Sequence, residues 1–154
     1  MRTWFRAVAL TAGLTACSSS PGGEVTVEES NVSAEGLAAS MQVEAGDDAV
    51  RLTLHLTNTT AAPIELGFSS GQRYDFQVAE VNDDGLVGET LWTWSADKSF
   101  MQAIGTETLQ PNASLSYSEE WHAAGARGEF VGIGTFTSTT HPVRQMARFD
   151  LADE

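Results

Sequence analysis

Between residues 49 and 57 every second position is aliphatic. Val50, Leu52, Leu54 and Leu56 share one face, and Arg51, Thr53, His55 and Thr57 share the other. Strict alternation marks a strand with one face buried and one in water, the usual condition in an antiparallel sheet. The pattern recurs. Met41 and Val43 alternate with Gln42 and Glu44, and Gly46-Asp47-Asp48 supplies a turn. After the first strand, Asn58-Thr59-Thr60 carries turn residues and Pro63-Ile64-Glu65-Leu66 opens a short run. Tyr74, Phe76, Val78 and Glu80 continue it, closed by the hairpin signal Asn82-Asp83-Asp84-Gly85. Leu91-Trp92-Thr93-Trp94 places both tryptophans on one face. Leu115, Tyr117, Glu119 and Trp121 form the next face, then Phe130, Gly132, Gly134 and Phe136, then Val143, Gln145, Ala147, Phe149 and Leu151. About eight short strands result, with one helical turn expected as an insertion in residues 97–104. Regular short strands with turn signals predict an all-β chain folded as an antiparallel β-sandwich. No internal repeat and no second domain is visible.

The first 16 residues break the pattern. Arg2 and Arg6 precede an apolar run that ends at Ala16, and the single cysteine of the chain, Cys17, follows. A charged start and a short apolar stretch are the layout of a secretory signal peptide. The run is too short for a bilayer span, which needs about 20 residues. Leu14-Thr15-Ala16-Cys17 resembles the bacterial lipobox, in which the cysteine is lipidated and becomes the first mature residue. The alternative is an ordinary signal peptide with an incidental cysteine. Three segments are therefore expected: a lipoprotein signal peptide at 1–16, a flexible tether from lipidated Cys17 at 17–36, and the folded β-domain at 37–154. Ser18-Ser19-Ser20-Pro21-Gly22-Gly23 has linker composition, and residues 24–28 alternate as a short edge strand would. The expected location is the cell envelope, with the domain exported and held at a membrane through the lipid on Cys17.

Charge narrows the partners. The chain has 21 acidic and 8 basic residues, a formal charge of -13. Without residues 1–16, six basic residues face the same 21 acids, a charge of -15. Phosphate binding needs clustered Lys and Arg, so nucleic acid is excluded as a partner. Docking of the protein surface itself on anionic lipid is disfavoured for the same reason. One cysteine allows neither an internal disulfide nor a Cys-based zinc site.

Candidate chemistry is thin. Gly67-Phe68-Ser69-Ser70-Gly71 fits the G-x-S-x-G pattern of a hydrolase, but that elbow needs a helix after the serine. Here Tyr74-Asp75-Phe76-Gln77-Val78 alternates as a strand, so a turn is expected and no catalytic residue is assigned. Glu80, Asn82, Asp84 and Gly85 resemble half an EF-hand loop, whose twelfth position must be a bidentate acid and here is Leu91. His55, His122 and His141 share no metal spacing, and no cofactor is expected. The sequons at Asn31, Asn58 and Asn112 read as turns. Trp92, Trp94 and Trp121 suit either a sandwich core or a ligand-stacking platform, the core being favoured by the area each ring buries.

Three blocks carry a resemblance. The first is Leu54-His55-Leu56-Thr57-Asn58-Thr59-Thr60 with Pro63-Ile64-Glu65-Leu66. The second is Phe68-Ser69-Ser70-Gly71-Gln72-Arg73-Tyr74-Asp75-Phe76. The third is Leu91-Trp92-Thr93-Trp94-Ser95-Ala96-Asp97-Lys98-Ser99-Phe100, continued by Thr108-Leu109-Gln110-Pro111-Asn112 and Trp121. In order and spacing these resemble the BsuPI family of proteinase inhibitors. The resemblance implies an immunoglobulin-like sandwich, in agreement with the periodicity, and inhibition of a proteinase. The family name describes an intracellular inhibitor, whereas this chain carries an export signal, so its target is expected outside the cytoplasm.

Inhibition requires a rigid exposed loop that enters a protease cleft. Residues 69–73 and 97–102 are the candidate loops, and Gln72, Arg73, Lys98 and Ser99 are the expected partner-binding residues. Arg73 and Lys98 are local positive points in a negative field, which can orient a partner. The competing expectation is that they merely pair with acids such as Asp75 and Asp97. Two functions remain open: a lipid-anchored proteinase inhibitor, whose partner is a protease, or a surface protein-binding or assembly module without inhibitory activity, whose partner is another envelope protein.

Overall fold

The computed structural model describes the backbone of residues 26–32, 36–46 and 49–151, with side chains in the last two stretches. Cys17 and the expected signal peptide lie outside the described residues. Ten strands are present among them: β1 (Thr26–Val32), β2 (Leu37–Ala45), β3 (Val50–Asn58), β4 (Ile64–Phe68), β5 (Tyr74–Val81), β6 (Val87–Thr93), β7 (Gly105–Leu109), β8 (Ser114–Trp121), β9 (Gly128–Phe136) and β10 (Val143–Leu151). One sheet has the order β1-β2-β3-β8, the second β10-β9-β5-β6, and β4 pairs with β7 in a two-stranded ribbon. The strand pairs are antiparallel. The two large sheets pack face to face, β2 on β10 and β3 on β9, which makes the immunoglobulin-like sandwich.

β3 shows how the sequence sets the register. Val50, Leu52, Leu54 and Leu56 are fully buried. On the other face Arg51 bonds Glu120 at 2.7 Å, Thr53 bonds Ser118 at 2.9 Å and Thr57 bonds Ser114 at 2.7 Å. A slip of one residue would exchange these two faces, so burial and cross-strand pairing select one alignment. Across the sandwich, β9 turns Phe130, Gly132, Gly134 and Phe136 inward. A Cβ on Gly132 would stand 2.5 Å from Leu52 Cδ2, and one on Gly134 2.9 Å from Met41 Sδ. Glycine at these two positions is what lets the sheets approach.

Buried Asn58 closes β3. Its amide donates to the carbonyls of Ala62 at 2.8 Å and Leu109 at 3.0 Å, and its oxygen accepts from the Thr60 amide and hydroxyl. The hairpin at residues 82–85 forms as expected, with Gly85 N–H on the Asn82 carbonyl at 2.7 Å and Gly85 at φ 72. Pro111-Asn112 makes a turn with Asn112 at φ 60 and Ala113 N–H on Gln110 O. Proline followed by a left-handed residue defines a type II turn.

Several expectations are corrected. Asn31 and Val32 are paired with Ala39 and Ala38 inside β1 rather than forming a turn, and β1 overlaps the edge strand expected at residues 24–28. β7 was not anticipated, because Leu109 alone of its residues is buried and no alternation betrays it. The helical turn lies at Trp94–Asp97, as a single 3-10 turn, so Trp94 does not continue the strand of Trp92. The cause is tertiary: Asp75 accepts from the Ser95 amide at 3.1 Å and from its hydroxyl at 2.5 Å, which pulls the chain out of the sheet. In β5 pairing with β9 is unbroken through Glu80, and Ala79 is buried on the face opposite Val78, clustered with Val131 and Ile133, while Glu80 is exposed.

Candidate functional site

The loop after β4 and the loop after the 3-10 turn meet at one end of the sandwich. Gly71 N–H donates to the Met101 carbonyl at 2.7 Å, which ties residues 69–73 to residues 98–104. The first loop is also fixed from behind, where Thr137 donates through its amide to Arg73 O and through its hydroxyl to Gln72 O. Both candidate loops thus belong to one surface.

A chain of six rings runs beneath that surface. Phe68 of β4 meets Phe136 of β9 edge-on at 5.5 Å, and Phe136 lies 6.0 Å from Tyr117 of β8. Tyr117 stacks on Tyr74 of β5 at 4.5 Å, and Tyr74 stacks on Trp94 at 4.5 Å. Trp94 then meets Phe100 of the second loop at 5.9 Å. Each such pair adds about 0.5–1.5 kcal/mol beyond the area it buries, so the loop end is continuous with the core. Trp121 is buried, and Trp92 and Trp94 are half-buried against the core.

The two expected cations cap this ladder. The Arg73 guanidinium lies 4.0 Å from the Phe68 ring centre, donates to Glu107 at 2.6 Å and to the Ser70 carbonyl at 2.8 Å. Its acidic partner is therefore Glu107; Asp75 is engaged by Ser95. Lys98 stands 4.7 Å from the Trp94 ring and 3.4 Å from Asp97. Gln72 is half-buried, its side chain donating to Tyr74 O at 3.1 Å. Ser99 is exposed.

Two residues that the sequence reading missed project from the same end. Met101 is 77% exposed and Ile104 91% exposed. Phe100 and Ile104 are four apart, so a helical turn would have put them on one side; the irregular loop sends Phe100 inward and Ile104 out. The segment between Lys98 and Glu107 carries no charge in a chain of 21 acids, and that was the available signal.

Electrostatics at the ladder follow from burial. Tyr74 is pushed well above the ordinary tyrosine range, first by desolvation and then by the hydrogen bond it donates to Glu119 at 2.5 Å. Tyr117 is raised by burial and by the charge of Glu107, with Arg73 opposing. Ser69 of the G-x-S-x-G stretch sits in a loop that leads into strand β5, so the strand-turn-helix of a nucleophile elbow is not formed. Among the described residues no cluster of His, Cys, Asp and Glu has the makings of a metal site.

The fold is a two-sheet sandwich with two loops joined at one end. Residues 37–143 match the model of the BsuPI family, described as intracellular proteinase inhibitor, and the chain belongs to that family. No curated protein matches the chain. Among solved structures, a beta-glucosidase from Listeria innocua in complex with isofagomine is similar at 7% identity and TM-score 0.33, over 80% of this chain and 16% of the glucosidase. The GAE domain of GGA2p from Saccharomyces cerevisiae is similar at 10% identity and TM-score 0.26, over 83% of this chain and 99% of that domain.

Proposed function

We propose that this chain is an exported, lipid-anchored, non-catalytic proteinase inhibitor that meets its target through the loops around Gln72-Arg73 and Lys98-Ser99. Membership of residues 37–143 in a proteinase-inhibitor family is the observation that carries it. The placement of the site is supported by the bond between Gly71 and Met101 and by the ring ladder beneath. A preorganised loop gives up little conformational freedom on binding, which favours affinity. Export and anchoring are supported by the charged start, the apolar run and Cys17, and they put the target outside the cytoplasm.

The test is titration of the purified full chain against serine and cysteine proteinases. Inhibition near equimolar ratio is expected for at least one class. Lys98→Glu should weaken it several-fold through the association rate, with only a small change in thermal midpoint, because its pair with Asp97 is long and exposed. Arg73→Ala is a poor probe, because it removes the Glu107 pair and the Phe68 contact together. Absence of inhibition, with an envelope protein still captured specifically, would favour the assembly module.

A further inference from the structure

We infer that the loop 98–104 blocks a proteinase by inserting the Met101 and Ile104 side chains into apolar subsites while withholding the Met101–Gln102 peptide bond from cleavage. Both side chains project from the site, at 77% and 91% exposure. Residues 99–106 carry no charge, so seating them in a cleft strands no unpaired ion, which would otherwise be costly. The loop is held from two sides: Phe100 packs on Trp94 at 5.9 Å, and Gly71 N–H binds the Met101 carbonyl at 2.7 Å.

That same bond separates this loop from a substrate. A serine or cysteine proteinase attacks a carbonyl whose oxygen must reach the oxyanion hole. The Met101 oxygen already accepts from Gly71 and from Ala103 N–H at 3.0 Å. The Ala103 bond also folds the backbone tightly at Gln102, against the extended course a substrate takes. The Met101–Gln102 bond is not presented for attack, while both apolar side chains are. The matching partner is a proteinase with deep apolar subsites.

This assignment rests on the inhibitor function proposed above, and the experiment separates the two. The full chain, Met101→Asp, Ile104→Asp and the control Met146→Asp, on the exposed face of β10, are titrated against a chymotrypsin-type and a subtilisin-type serine proteinase. Thermal midpoints are recorded throughout. Each loop variant should weaken inhibition by about 10-fold or more, the scale of an interface anchor, and the control should not. After overnight incubation with equimolar proteinase, mass spectrometry should recover the Met101–Gln102 bond intact. Undiminished inhibition by both loop variants would overturn the loop assignment and leave the inhibitor function standing. Accumulating cleavage of the Met101–Gln102 bond in the inhibitory complex would overturn the withheld-bond part. A wild-type chain that inhibits neither enzyme overturns this inference and leaves the wider inhibitor function to the titration across serine and cysteine proteinases.

Discussion

Leu54 and Thr53 are neighbours with opposite fates. Leu54 is fully buried between Met41 and Tyr117 in register, whereas Thr53 faces Ser118 across the solvent side. Leu54→Ala should cost about 2–5 kcal/mol, as for other core truncations. Thr53→Ala should cost well under half of that, since it removes one exposed hydroxyl pair. Chemical denaturation midpoints of the two variants check the difference. Tyr74 gives a pH signature. Its folded pKa is raised, so the neutral ring contributes stability that is fully present below the unfolded tyrosine pKa, near 10. That contribution is lost as pH climbs from there toward the higher folded value, because the unfolded chain ionises first. Tyr117 acts in the same direction. Urea midpoints at pH 8, 10 and 11 should fall, and Tyr74→Phe should flatten the fall while lowering the midpoint at pH 8.

At the level of strands and loops, the sequence speaks where one face is buried along its whole length. β3, β9 and β10 were legible for that reason, including the inward side of Phe130, Gly132, Gly134 and Phe136. β7 was not, because its exposed stretch Thr106-Glu107-Thr108 has nothing to alternate against. The 3-10 turn was misplaced because a long-range bond from Asp75 to Ser95 sets it. The candidate loops were located from composition and from resemblance. Their union through Gly71 and Met101 is a backbone contact between segments 30 residues apart in sequence, which no local pattern encodes. Arg73 and Lys98 stand out by charge, yet both lie over rings, and the uncharged Met101 and Ile104 are far more exposed than either. Sheet approach yields a further prediction. Gly132→Ala pushes a methyl against Leu52, Val43 and Met41 and should destabilise by about 1–3 kcal/mol, the usual range for overpacking. Combining it with Leu52→Ala should cost less than the sum of the two changes, since the clashing group is gone.

For the molecule as a whole, the proposed anchor decides where the loop end works. Cys17→Ser should leave an unprocessed precursor that takes up no labelled fatty acid and is absent from washed membranes in acylated form. Label still entering the variant would refute lipidation at this position. The sandwich itself should be indifferent to the change, with an unaltered thermal midpoint, because its core runs from Leu37 to Phe149. A single acyl chain holds a protein only marginally, so firm retention in the membrane fraction requires more than one lipid chain on that cysteine.

The ring ladder makes the domain its own optical probe. Trp94 sits at the outer end, between Tyr74 and Phe100 with Lys98 above it. Trp121 is buried at the far end against Phe130. Anything that seats on loop 98–104 removes water from around the Trp94 indole and leaves that of Trp121 untouched. Occupancy can therefore be followed in unlabelled protein as a shift in intrinsic emission, and Trp94→Phe erases the signal without touching the fluorophore at the opposite end.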